Sequence, residues 1–287
     1  MAETSEQETR VTIPAIDMDG VRQLLEEAAK ATIMPRFRLL KREDVGTKAG
    51  PHDIVTIADK EAEAWLEPRL QALLPGSSVV GEEAVSGDEG IMGALQRPGS
   101  TWLIDPVDGT ANFAVGNPLF AVMVALVHDG DAVASWIHDP VRGVTAMAQM
   151  GRGAWMHEAD GSTRKLLTPK PASLAHLSGA PNIRYGDRDF AARIAHRIDR
   201  TAGVLILRCA GQEYMAIAEG HMHYAVYNRA MPWDHAAGCL LISEAGGVAR
   251  RLDGSLYRAA DKPWGSALVP ACGEDQWNWL KIGIFNP

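Results

Sequence analysis

The sequence predicts a mixed protein with two unlike halves, α+β over residues 1–170 and α/β over residues 171–287, with a soft boundary near 150–175. Three observations carry this. Phe120 to His128 and Ala132 to Ile137 are strand-like apolar runs joined by Asp129-Gly130, a strong hairpin signal. Before them, apolar residues recur at helical spacing, as in Val21, Leu24, Leu25, Ala28 and Ala29. After about residue 175, short β-like runs alternate with helical ones.

Element by element, residues 1–12 read as a loose polar tail, and Asp17 or Asp19 caps the first helix. Gly46 to Pro51 reads as a turn. A second helix is expected over Asp53 to Leu74, ended by Pro75-Gly76. Ser78 to Val80 forms a short strand leading into Gly81-Glu82-Glu83, and residues 84–100 read as a loop or a short helix. Thr101 to Ile104 is a strand ending at Asp105, where Pro106 stops it from simply continuing. Gly143 to Gln149 and Gly153 to Met156 extend the hairpin's sheet. In the second half, Leu174 to Ala180 and Val204 to Leu207 read as strands. Phe190 to Ala202, Gln212 to Glu219 and Asp234 to Gly246 read as helices.

Composition narrows the function. The chain has 287 residues, with 28 Lys+Arg against 36 Asp+Glu and a net charge of −8. That balance argues against a nucleic-acid polymer as partner, but not against a phosphorylated substrate, because bound cations reverse the sign of a local field. The longest apolar run, Leu119 to Val127, falls far short of the roughly 18 residues of a membrane span, and the N-terminus lacks a signal-peptide core. No membrane association is expected. Cys209, Cys239 and Cys272 form no CxxC pair, which fits a reducing cytoplasm.

The most informative stretch runs from Trp102 to Phe113, WLIDPVDGTANF. Asp105 ends an apolar strand, Asp108 follows three residues later, and Gly109 permits close backbone approach. Such a turn aims two carboxylates at one point and leaves backbone N–H groups facing an anion. Asp59 at a helix start, Glu82–Glu83 after a short strand and Asp234 at another helix start repeat the pattern. Each alone also reads as an ordinary cap or solvated loop. Taken together, clustered carboxylates repel unless a cation is present, and oxygen-only ligands favour Mg²⁺, Mn²⁺ or Ca²⁺. Two such ions would serve phosphoryl transfer.

These segments, with DIVTIAD, GEE and PWDHAAGCLLISEAGG, resemble the inositol monophosphatase family of metal-dependent, lithium-sensitive phosphatases, from about Lys48 to Gly247. The resemblance implies a layered αβαβα sandwich, with an antiparallel sheet in the N-terminal half and a mixed sheet in the C-terminal half. It implies two to three Mg²⁺ per site, with Mn²⁺ an alternative. Glu82, Asp105 and the Val107 carbonyl would hold the first, and Asp105, Asp108 and Asp234 the second. A third, weaker ion would rest on Glu82 and, through water, on Asp59. Thr110, bonded to Asp59, would orient the attacking water, while the Gly109 and Thr110 amides hold phosphate. Lys48 matches a loop lysine near the site. A cytoplasmic homodimer acting on a small phosphorylated metabolite is the family expectation.

Departures bear on the substrate. Ala111 replaces the second threonine of the commoner DGTTNF form. Inositol-selective relatives usually carry an acid seven positions before the helix-start Asp; here that place is Tyr227, followed by Asn228 and Arg229. Arg208-Cys-Ala-Gly-Gln212 replaces the usual Gly-Thr or Gly-Ser pocket segment, with Gly211 kept and Gln212 different. Lys48, Gly211, Gln212, Tyr227 and Arg229 are therefore the expected substrate contacts. Alternatives to inositol phosphate are a nucleoside 3′,5′-bisphosphate, a fructose bisphosphate or histidinol phosphate. Asp17-Met-Asp-Gly-Val21 also resembles the nucleophile motif of haloacid-dehalogenase phosphatases, although Pro14 suits a central strand poorly. A non-catalytic binding protein on this scaffold would lack a ligand or Thr110, and none is missing.

Overall fold

The computed structural model describes residues 14–48, 54–182 and 188–286. The expected tail at 1–12 lies outside these residues, as does the expected turn beyond Lys48. Helix α1 (Met18–Ala28) opens the described chain, with Asp17 as its cap, accepting from the Gly20 N–H at 2.9 Å. Among the described residues no strand precedes Asp17, and its side chain is spent on capping α1, which speaks against the dehalogenase-like reading; residues 11–13 of the expected strand lie outside the described residues. Strands β1 (Val45–Thr47) and β2 (Ile54–Thr56) pair antiparallel. Helix α2 therefore spans Ile57–Leu73 and not Asp53–Leu74: Ile54 to Thr56 are extended because Thr56 is the N-cap.

Strand β3 (Ser78–Gly81) leads into α3 (Glu82–Gly87), then β4 (Ser100–Asp108) and the short α4 (Thr110–Ala114). β4 runs past Pro106 to Asp108, further than expected, because its pairing shifts register between Asp105 and Asp108 and the bulge absorbs the proline. Strands β5 (Ala121–His128), β6 (Asp131–Asp139), β7 (Val144–Gln149), β8 (Gly153–His157) and β9 (Thr163–Lys165) complete a seven-stranded sheet in the order β3 to β9. Only β3 and β4 are parallel. The hairpin between β5 and β6 turns through Asp129 and Gly130, both at positive φ, as a two-residue primed turn requires.

The second half holds β10 (Ser178–Asn182), α5 (Arg188–Ala195), β11 (Gly203–Val204), α6 (Ala210–Glu219), β12 (Tyr224–Tyr227), α7 (Pro232–Glu244), β13 (Val248–Arg251), β14 (Leu268–Ala271) and α8 (Glu274–Leu280). These strands form a mixed five-stranded sheet, β11-β10-β12-β14-β13. Several sequence boundaries shift: the strand expected over Leu174 to Ala180 lies at Ser178–Asn182, with Leu174–His176 in a 3-10 turn, and α5 and α6 each begin two residues early. α5 stops at Ala195, β11 is two residues long where four were expected, and α7 begins at Pro232, whose missing N–H costs nothing in a first turn.

The layers follow from where apolar side chains go. α1 and α2 cover one face of the large sheet, and α6 and α7 fill the space between the sheets. α5 and α8 cover the outer face of the small sheet. β5 shows why its run is unbroken: Ala121, Met123, Ala125 and Val127 face the middle layer, while Val122, Val124 and Leu126 face α1 and α2. Leu66 and Leu70 of α2 are fully buried there, and truncating either to Ala would cost about 2–5 kcal/mol. The result is the αβαβα sandwich.

Candidate active site

A cavity of about 610 Å³ opens where β4, α3, α4 and α7 meet the α6 segment and the ends of β10 and β12. One end is acidic. Glu82, Asp105 and Asp234 each bring a carboxylate oxygen within 4.8 Å of the others, from three different elements. Asp108, Val107, Gly109 and Thr110 line the same end.

Each acid is aimed by its local backbone. Glu82 opens α3, and the next two N–H groups, of Glu83 and Ala84, are taken at 2.8 Å by Glu63 from α2. Glu63 thus supplies the cap and leaves Glu82 free to face the cavity. A Cβ on Gly81 would lie 2.2 Å from the Glu63 carboxyl carbon, so a larger residue there would push the Glu63 carboxylate off the α3 N–H groups. Asp105 sits at the bulge of β4, where its Oδ1 accepts from the Val107 N–H at 3.1 Å. Asp108 is held by the α6 turn: Oδ2 accepts from the Gly211 N–H at 2.5 Å and the Cys209 thiol at 3.0 Å. Gly109 has φ +85 and would place a Cβ 2.9 Å from the Leu119 carbonyl. Asp234 stands in the first turn of α7, two residues inside its start and not at its cap.

Asp59 completes a capping box. Its Oδ2 accepts from the Thr56 N–H at 2.8 Å and the Thr56 hydroxyl at 2.5 Å. That leaves Oδ1 for the Thr110 hydroxyl, at 3.1 Å, while the same hydroxyl lies 3.0 Å from the Val107 carbonyl. Lys48 reaches Glu82 at 2.8 Å and Glu83 at 2.5 Å.

The charge balance is strained. Burial, then Glu82, Asp108 and Asp234, pushes Asp105 well above the usual carboxylate range. Burial with Glu82 and Asp108 does the same to Asp234, opposed by Arg229. Asp108 is raised by burial despite its hydrogen bonds. Burial carries Asp59 up to about 7, against its bonds to Thr56. Burial opposes the charge on Lys48, but Glu82 and Glu83 outweigh it and hold the ammonium above its ordinary value. Buried acids with one lysine among them need more positive charge, and an all-oxygen donor set fits a hard divalent cation.

The other end of the cavity is less acidic and is lined by Pro181, Asn182, Ile206, Arg208, Glu213, Tyr227, Asn228 and Arg229. Tyr227 and Arg229, expected as substrate contacts, both line the cavity. The expectation for Gly211 and Gln212 gives way, since neither lines the cavity. Gly211 packs on the large sheet, where a Cβ would meet Ala121 and Ile137. The Gln212 carboxamide donates to the Phe120 carbonyl and to Asp139, both at 2.9 Å, tying α6 to β6. Successive helix positions differ by 100°, so the next residue, Glu213, faces the cavity instead. Glu63, Thr56, Cys209 and Glu213 were not foreseen. The TIAD pattern of a capping box was a signal for Thr56; the other three are placed by contacts distant in sequence.

A family model described as the inositol monophosphatase family matches residues 17–280. The inositol-1-monophosphatase of Bacillus subtilis is 33% identical over 74% of this chain and 78% of that protein. The histidinol-phosphatase of Streptomyces coelicolor is 32% identical over 80% of this chain and 85% of its own length. Among solved structures, an IMPase of Thermotoga maritima superimposes with a TM-score of 0.75 at 25% identity, over 93% of this chain and 94% of that one.

Proposed function

The chain belongs to the inositol monophosphatase family and is a phosphoric monoester hydrolase, and on that premise we propose that it hydrolyses a small phosphorylated metabolite with Mg²⁺ as its cofactor. The observation that carries this is the convergence of Glu82, Asp105 and Asp234 within 4.8 Å at one end of a cavity. Glu82, Asp105, the Val107 carbonyl, Asp108 and Asp234 would hold two to three Mg²⁺, or Mn²⁺ in its place. When bound, the ions supply positive charge to the ester oxygens and acidify a coordinated water.

This chain's own residues do the rest. Asp59 accepts the Thr110 proton, which turns that hydroxyl's lone pairs toward a water and sets its line of attack. The Thr56 cap fixes Asp59, so this pair is preorganised. The Gly109 and Thr110 amides face the phosphoryl oxygens. Lys48 fixes Glu82 and Glu83 and adds a positive charge beside them. Tyr227 and Arg229 meet the leaving alcohol. A second reading rests on Arg208 and Arg229, two guanidinium groups lining the far end. Arg208 is held at φ +59, a strained conformation for a non-glycine residue. That pair suits a substrate with a second phosphate, such as a fructose or nucleoside bisphosphate.

The family further supports a lithium-sensitive, cytoplasmic homodimer. The three cysteines are free and buried, in keeping with a reducing compartment, and no helix among the described residues is long and apolar enough to cross a membrane. The test is phosphate release, with Mg²⁺ and with chelator, over inositol 1-phosphate, histidinol phosphate, fructose 1,6-bisphosphate and a nucleoside 3′,5′-bisphosphate. Chelator-sensitive turnover of any of these supports the reading. Turnover that survives metal removal overturns the metal mechanism, and a clear preference for a monophosphate overturns the bisphosphate alternative.

A further inference from the structure

We infer that Cys209 is a positioning residue whose thiol holds Asp108 in the orientation that a divalent cation requires. The inference rests on the phosphomonoesterase reading above and concerns the acidic end of the cavity. Asp108 needs holding there. It is not one of the three acids whose oxygens lie within 4.8 Å of one another, and the charge of Glu82 opposes its own. Two donors grip one of its oxygens, Oδ2: the Gly211 N–H at 2.5 Å and the Cys209 thiol at 3.0 Å. The last torsion of an Asp side chain is broad and has little preference of its own, so partners of this kind decide how the carboxylate is turned.

The thiol can do this because it is itself fixed. Cys209 is the N-cap of α6, and its Sγ accepts from the Gln212 N–H at 3.4 Å. The side chain is buried, and a buried sulfur beside a carboxylate keeps its proton and so donates. A thiol that accepts from a helix N–H and donates to a carboxylate makes a short chain of bonds in which each polarises the next. The turn that carries it is braced from two sides. A Cβ on Gly211 would lie 2.9 Å from that of Ala121, so the turn packs directly on β5. From α4, the Asn112 carboxamide donates to the Leu207 carbonyl at 2.9 Å. Within residues 208–212, a segment expected at the substrate pocket, Cys209 and Gly211 therefore serve Asp108.

Cys209→Ser and Cys209→Ala make the test, because they are alike in size and differ in the donor. Mn²⁺ is titrated into the metal-free chain by calorimetry for the wild type and both variants. Losing one hydrogen bond to a charged group should weaken Mn²⁺ binding about tenfold in Cys209→Ala. Cys209→Ser, which keeps a donor, should stay within about threefold of the wild type. A role in packing alone would move both variants together. Equal losses in the two, or an unchanged Kd in Cys209→Ala, overturn the inference. Cys209 also lines the cavity, and a role in touching substrate would raise KM while leaving Mn²⁺ binding in place, which overturns it as well. If Cys209→Ala does not fold, the infrared S–H stretch of the wild type decides. One of the three cysteine bands should shift on loading with Mn²⁺, and none should in Asp108→Asn; bands that stay still in the wild type, or shift equally in both, overturn the inference. Failure of the underlying reading looks different: the wild-type chain would then bind no Mn²⁺ and release phosphate from no ester in the panel.

Discussion

The two ends of the cavity are built in opposite ways. At the acidic end, most side chains are aimed by their own few residues: the bulge at Asp105, the left-handed Gly109, the capping box of Thr56 and Asp59, and the first turn of α7, with Asp108 held in addition by Cys209 and Gly211. At the far end, Glu213 is oriented by Asn182, Leu207 and Tyr227, which lie on separate elements. On the proposed function, the chemistry would rest mainly on short local motifs, and the choice of alcohol on contacts between separate elements. The Bacillus inositol-1-monophosphatase and the Streptomyces histidinol-phosphatase, both about as similar to this chain, carry names that differ in the alcohol.

Substitutions can break or sharpen this contrast. The largest effect is expected from Asp105→Asn, which removes charge but no core volume. Turnover should fall by roughly 10²–10³-fold or more, with circular dichroism unchanged; near-normal turnover would mean that the acidic end is misread. Thr110→Ala should reduce kcat by about a hundredfold with little change in KM, since it removes the group that orients water and not the grip on phosphate. An effect confined to KM would contradict that role.

Gln212→Leu addresses the boundary between the two ends. It leaves the Phe120 carbonyl and one Asp139 contact unpaired inside the protein, so unfolding by denaturant should show a loss of about 1–3 kcal/mol. KM should stay within about twofold, because the side chain does not line the cavity. A large KM change with unchanged stability would restore Gln212 to the substrate site.

The smallest effect is one of pH. Burial raises Glu63 and Glu213 to about 7, so between roughly pH 4 and 7 the folded chain binds more protons than the unfolded one. Their contribution to stability is present below the unfolded pKa and lost as pH rises through about 7. In chelator, thermal unfolding should occur at lower temperature at pH 8 than at pH 5.5, and Mg²⁺ should restore more at pH 8. A midpoint that rises with pH in chelator would contradict these burial costs.

How much was legible follows the same divide. Asp105, Asp108 and Gly109 could be read from one stretch because a strand end, a proline and a glycine leave few conformations. The hairpin at Asp129-Gly130 was equally plain. Pro106 misled because a bulge admits it without ending β4. Ile54 to Thr56 looked helical because apolar residues adjoin α2, whereas Thr56 is where the helix is capped. At the far end, Gln212 and Glu213 are adjacent and both polar, and only the packing of α6 on the large sheet decides which one faces the cavity. Cys209 carried no signal either, since its partner, Asp108, lies about a hundred residues away in the chain.

The central claim is that Glu82, Asp105 and Asp234 form a divalent-cation site. Titration of Mn²⁺ into the metal-free chain, followed by calorimetry and compared with Asp234→Asn, tests it most directly. The account predicts saturable binding of at least one ion per chain in the wild type, sharply weakened in the variant. Binding that is absent in the wild type, or equally tight in both, would contradict it.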